Sequence, residues 1–169
     1  MAMKKLLSIG VLVCMAPKLA MGQAAPEHHI WQEKRSFEPM SRTAQAIMSS
    51  IKLSGNPHFA TPGSKVVITF GNGKTVALTA VGAWWREWDL AKPGKVTAEV
   101  FRMGSDPGNL ENGNTLCGNP TENPARYIVF YEKLSFGTPL LSVAVFSSKN
   151  VPKDIYSPGL CGTFSFHAE

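Results

Sequence analysis

The stretch "KVVITFGNGKTVALTAV", residues 65–81, leaves its backbone little choice. Two runs rich in β-branched residues flank Asn72-Gly73. Branched side chains favour the pleated strand, and Asn-Gly supplies the positive φ angles of a tight type I′ turn. A β-hairpin is therefore expected here, and a hairpin is stable only when further strands or a helix cover its apolar face. Further strand-like runs follow: "KVTAEVFR" (95–102), "RYIVFYE" (126–132), "LLSVAVFS" (140–147) and "LCGTFSF" (160–166). In the third of these, Leu141, Val143 and Val145 alternate with Ser142 and Ala144, so one face is apolar and the other small or mixed. Most of the 12 prolines and 15 glycines fall outside such runs, in the rhythm of a meander. The expected fold is mostly β: a single-domain antiparallel β-barrel or β-sandwich with one disulfide.

The N-terminal "MAMKKLLSIGVLVCMAPKLAMG", residues 1–22, carries Lys4 and Lys5, an apolar run from Leu6 to Ala16, and then small residues suited to a peptidase. This is the pattern of a secretory signal peptide, with cleavage expected after Gly22 or Ala24. The run is shorter than the roughly 20 residues that span a bilayer, so no integral span is expected once the signal is removed. Val13 is bulkier than the residue that precedes a lipidated cysteine, which argues against Cys14 as an anchor. The expected location is the periplasm or the exterior. Residues 23–40 are polar and read as a flexible N-terminal arm, with a β-rich globular domain from 41 to 169. Within it, "SRTAQAIMSSIKLSG" (41–55) suits either a helical turn or a strand, and strand is favoured from about Ile47.

The chain has 17 basic and 12 acidic side chains, but Lys4, Lys5 and Lys18 lie in the signal, leaving 14 basic against 12 acidic. No basic run or basic helix remains, so nucleic acid is not an expected partner. Of the three cysteines, Cys117 and Cys161 stay after cleavage. An even pair in an oxidising compartment reads as a disulfide, and closing a loop of about 45 residues contributes roughly 4 kcal/mol in the chain-entropy treatment. No C-x-x-C pair suggests redox chemistry.

Catalytic motifs are incomplete. "GNGKT" (71–75) resembles the end of a phosphate-binding loop, but Ile68 stands where the motif needs glycine, and strand rather than helix follows. Neither G-x-S-x-G nor S-x-x-K occurs. Of His28, His29, His58 and His167, only His58 lies in a loop placed to serve a rim. His28-His29 could hold Cu(II) or Ni(II) only if cleavage followed Ala25, and the oxygen-rich 106–114 loop lacks the calcium-loop register. Neither a metal nor another cofactor is expected.

"GAWWREWDL" (82–90) concentrates three of the four tryptophans. Strand alternation places Trp84, Arg86 and Trp88 on one face, packed inward, and Trp85, Glu87 and Asp89 on the other. Trp85 is then the tryptophan free to meet a ligand, with Glu87 and Asp89 beside it. Such paired carboxylates also permit acid/base attack on a glycan.

The cysteine contexts "NGNTLCG" (112–118) and "LCGTF" (160–164), with "RYIVFY" and "SVAVFS" between them, resemble those of small secreted bacterial proteins of uncharacterised function. That resemblance implies export and the Cys117–Cys161 bridge, and no activity. Periplasmic lysozyme inhibitors share the compartment, size and architecture, but no inhibitory motif maps onto this chain. The expected function is non-catalytic binding of an envelope protein, glycan or lipid through Trp85, Glu87 and Asp89. Its alternatives are a small envelope-polymer hydrolase using Glu87 and Asp89, and an accessory subunit of an envelope complex.

Overall fold

A computed structural model describes residues 29–55, 61–90 and 94–168; the proposed signal, His28 and His58 lie outside them. Eight strands form one antiparallel sheet in sequence order: β1 (Ser36–Phe37), β2 (Ile51–Gly55), β3 (Lys65–Phe70), β4 (Thr75–Glu87), β5 (Lys95–Met103), β6 (Tyr127–Ser135), β7 (Thr138–Phe146) and β8 (Leu160–His167). Among the described residues one α-helix, α1 (Arg42–Ile47), stands between β1 and β2. The sheet curls until its ends meet. β1 pairs with β2, and the residues directly after β1 bond to β8: Pro39 bridges Phe166, Met40 N–H donates to Ser165 C=O at 2.8 Å, and His167 N–H donates to Glu38 C=O at 2.9 Å.

Two local expectations change. The β3–β4 turn has positive φ at Gly73 but not at Asn72. Gly73 N–H donates to Phe70 C=O at 2.8 Å and Phe70 N–H to Lys74 C=O at 2.9 Å. This is a three-residue loop whose glycine makes the bulge, in place of the type I′ turn. The strand expected from about Ile47 begins at Ile51, and residues 42–47 take the helical alternative. Ser41 caps the helix, its Oγ accepting from Ala44 N–H at 3.1 Å, and the same Oγ accepts from Ser165 N–H at 3.2 Å. The cap thus ties the helix start to β8.

Residues 23–28 of the expected N-terminal arm lie outside the described residues. From residue 29 onward it packs on the sheet, with Trp31 and Phe37 fully buried. Their apolar area outweighs the polar composition around them.

The concave face holds the main core, including Phe37, Ile51, Ile68, Phe101, Phe130 and Phe164. Leu141, Val143 and Val145 point into it, on the face their alternation assigned. A second cluster lies on the convex face, where Trp88 meets Val129, Tyr131, Ala144, Phe146 and Ile155. Trp88 and Phe146 pack edge to face, with centroids 6.5 Å apart. The 147–159 loop covers this cluster, fixed by Ile155 N–H donating to Glu87 C=O at 2.8 Å. Both faces of β6 and β7 are therefore buried, and their apolar runs are nearly continuous.

Cys117 and Cys161 form the expected disulfide, joining the long loop after β5 to the first residues of β8. In that loop the Asp106 carboxylate accepts from Gly108 N–H at 2.7 Å and Ala125 N–H at 2.6 Å, an ordinary turn-forming role. Among the described residues no helix is long and apolar enough to cross a membrane.

Trp88→Ala is expected to cost about 3–5 kcal/mol in chemical denaturation, because the vacated volume cannot collapse. Trp85→Ala at an exposed position should shift stability by less than about 0.5 kcal/mol.

Candidate functional site

The fate of the tryptophan cluster is decided by one irregularity. The β4–β5 register shifts between Ala80 and Gly82, so Val81 is an extra residue. Val76, Leu78 and Ala80 face the concave core. After the bulge that parity passes to Ala83, Trp85 and Glu87, while Val81 and Trp84 join the convex cluster. Trp84 lies so close to the backbone that a Cβ at Gly82 would stand 3.1 Å from its ring. Trp88 follows the end of β4 and donates its indole N–H to Trp84 C=O at 3.3 Å. Trp84 and Trp88 therefore pack together, on the convex side of the sheet. Trp85 remains 61% exposed, with Lys95 Nζ 5.1 Å from its ring centroid.

Trp85 stands at an end of the sheet that is split. The β5–β6 ladder runs from Arg102↔Tyr127 to Ala98↔Tyr131 and stops. β5 continues to pair with β4 as far as Glu87↔Lys95, and β6 with β7 as far as Ser135↔Thr138. Beyond Ala98 and Tyr131 the sheet is thus a fork of two hairpins. A cleft of about 330 Å³ opens between the prongs, with Val96, Leu134 and Pro139 as apolar walls and Asp89, Lys95 and Lys133 among its charges. Asp89 Oδ2 reaches across to Lys133 Nζ at 3.8 Å, linking the prongs. Glu87 is exposed and its strand ends there, so it and Asp89 do not continue as neighbours on one strand face.

Four of the exposed large apolar side chains edge this fork: Trp85, Leu90, Leu134 and Phe136. Phe136 and Gly137 occupy the two-residue turn between β6 and β7, with φ of 51° and 85°. Positive φ at both positions defines a type I′ turn, which normally takes Asn, Asp or Gly. A phenylalanine there carries backbone strain while its ring is fully exposed. Sequence reasoning passed over Phe136 and Leu134. The available signal was "SFGT", an aromatic in the slot before a turn glycine.

Behind the fork lies an ionisable group that composition could not reveal. Glu99 is 1% exposed on the concave face of β5, between Ala83 and Phe130 on the flanking strands. Its Oε2 accepts the indole N–H of Trp31 at 2.8 Å, and its Oε1 has no hydrogen-bond partner among the described residues. Burial pushes its carboxyl up to about 7, against the opposing pull of the Trp31 bond. The His29 ring stacks on Trp31 at 4.3 Å, and its Nδ1 is 3.8 Å from Glu132 Oε1, beside the cleft. The N-terminal segment thus plugs the concave face next to the fork. On the convex side, burial and then the nearby Asp89 charge raise the Tyr131 phenol, while the Ser142 hydroxyl opposes them.

Among the described residues no group of three His, Cys, Asp or Glu side chains is placed to hold a metal ion. Comparison with protein-family models, with curated proteins and with solved structures gives no match to this chain.

The Glu99 carboxyl holds its proton more tightly folded, near 7, than unfolded, near 4.5. Its contribution to stability is therefore full below pH 4.5 and is lost as the pH rises to about 7, a span worth on the order of 3 kcal/mol. Melting temperatures across that range should show the loss in the wild type and not in Glu99→Gln, whose amide has no charge to bury. Parallel curves for the two proteins would remove Glu99 as the cause.

Proposed function

We propose that this chain is an exported, non-catalytic binding protein, and that it captures an envelope component at the forked end of its sheet. The observation that carries this reading is Phe136, a fully exposed aromatic in a backbone conformation that penalises it. A turn selected for stability would use Asn or Gly there. Backbone strain kept beneath an exposed ring is the trade expected of a contact residue. Trp85 and Leu134 extend the apolar rim on the two prongs, and the cleft between them supplies charged groups that can orient a ligand. The cysteine contexts and the N-terminal leader support export in this reading.

Phe136→Asn separates the two demands. It should raise stability by about 1 kcal/mol by relieving the left-handed strain, and weaken capture from envelope extract by about tenfold or more if the ring is an interface anchor. Thermal unfolding and quantitative pull-down read the two effects. Unchanged capture by both Phe136→Asn and Trp85→Ala would overturn the site.

A further inference from the structure

We infer that the convex face carries a second binding site, a basic trough that takes an anionic glycan, a polysaccharide whose sugars bear carboxylate, sulfate or phosphate groups. It shares no lining residue with the cleft at the fork and does not rest on the binding reading above. Three hollows of about 420, 460 and 370 Å³ adjoin there, the first two sharing Arg102 and the last two sharing Val81. The strand register builds the crossing point. Lys65 pairs with Thr79, Thr79 with Arg102 and Arg102 with Tyr127, a row across four strands. The chain neighbours Val66, Leu78, Phe101 and Ile128 face the concave core, so this row faces outward. Lys65 and Arg102 stand two strand spacings apart, about 10 Å at the backbone. Arg86 lies further along β4, roughly 20 Å from the row, and the 147–159 loop brings Lys149 and Lys153 to the side of the trough.

Six bases line the three hollows, Lys65, Arg86, Arg102, Arg126, Lys149 and Lys153, against one acid, Asp106. The Asp106 carboxylate is taken up by the Gly108 and Ala125 amides. Glu87, Glu122 and Asp154 are close in the chain to lining residues but line none of the hollows, and Asp154 Oδ1 accepts from Tyr156 N–H and the Ser157 hydroxyl. Even with these three counted, bases outnumber acids six to four. Among the described residues none of the six bases is paired with a carboxylate. Lys65 Nζ donates to the Thr79 hydroxyl, Arg86 to Trp85 C=O, and the Arg102 guanidinium lies over the Tyr127 ring. Such contacts hold a cation in place without neutralising it, and gathering like charges along one trough costs energy that a bound polyanion returns.

The surroundings favour a glycan over other polyanions. A guanidinium forks onto carboxylate or phosphate, and cations strung along the trough suit a chain that repeats such groups. A bilayer is poorly served, because no lining residue is among the exposed large apolar side chains that would insert into it. Single-stranded nucleic acid needs open rings for its bases, whereas Tyr127 is buried and Trp84 half-buried.

The test is direct binding of the full chain to polygalacturonate and dextran sulfate, with neutral dextran, an oligothymidylate and phosphatidylglycerol vesicles alongside. Both anionic glycans should bind and dextran should not. Sodium chloride raised from about 0.15 to about 1 M shortens the screening length from about 8 to about 3 Å and should release them. Arg86→Gln/Arg102→Gln/Lys149→Gln removes exposed cations from all three hollows. It should weaken glycan binding by about tenfold or more while the melting temperature hardly moves. Lys34→Gln/Arg42→Gln/Lys52→Gln removes the same charge at exposed positions elsewhere and should bind within about twofold of the wild type, as should Phe136→Asn. Equal losses in the two triple variants would reduce the effect to net charge and overturn the site. Unchanged binding by the trough variant, or binding of dextran as tight as of its sulfate, would do the same. Tighter binding of the oligothymidylate or the vesicles than of either anionic glycan overturns the glycan as occupant. Loss of extract capture in Phe136→Asn alone bears on the fork and leaves the trough standing.

Discussion

One extra residue, Val81, sets which side of the sheet every later side chain of β4 occupies. A strand has a period of two, so a single insertion exchanges its faces completely. Upstream, Val76, Leu78 and Ala80 feed the concave core; downstream, Trp84 passes to the convex cluster and Trp85 takes the concave parity. The second cluster follows from that exchange. With Trp84 and Trp88 on the convex side, the 147–159 loop has an apolar surface to cover, and Ile155 fastens it to the end of β4. Without the bulge, Trp84 would compete with the concave core for space beside Glu99.

The two ends of the molecule are built differently. At one, α1, the long loop after β5 and the disulfide form a closed cap, with Asn114 Nδ2 donating to Ala46 C=O at 2.8 Å. At the other, a ladder stops early and two hairpins diverge. The strained turn, the exposed rings and the buried carboxyl with an unmet oxygen all lie at the diverging end. Positive φ at non-glycine residues occurs at both ends, at Ser49 and Asn112 beside the cap and at Phe136 on the fork.

Much of the architecture was legible in the sequence. β-branched runs and their punctuation marked the hairpin at 65–81 and the later strands, because these signals are local. The alternation in "LSVAVF" assigned faces that the structure keeps, and the spared cysteine pair gave the staple. Trp31 was missed because its burial depends on a docking surface made by residues far along the chain, while its neighbours are polar. The bulge left a faint trace, the small residues Ala80, Gly82 and Ala83 around Val81, which do not say which of them is unpaired. The fork left none, since the place where two strands stop pairing is a property of how the whole sheet curls. At the site, alternation separated exposed Trp85 from Trp84 and Trp88, which pack together as expected, but it treated Asp89 as part of a strand that ends two residues earlier.

The seam formed by residues 38–41 against β8 joins segments well over 100 positions apart. Contacts of such separation cost the most chain entropy to close and belong late in folding. A chain emerging N-terminus first therefore holds Phe37 and the Ser41 cap without their final partners until the last strand is out. A copy without β8 cannot seal the core at this seam, and its unpaired sheet edge is open to proteases.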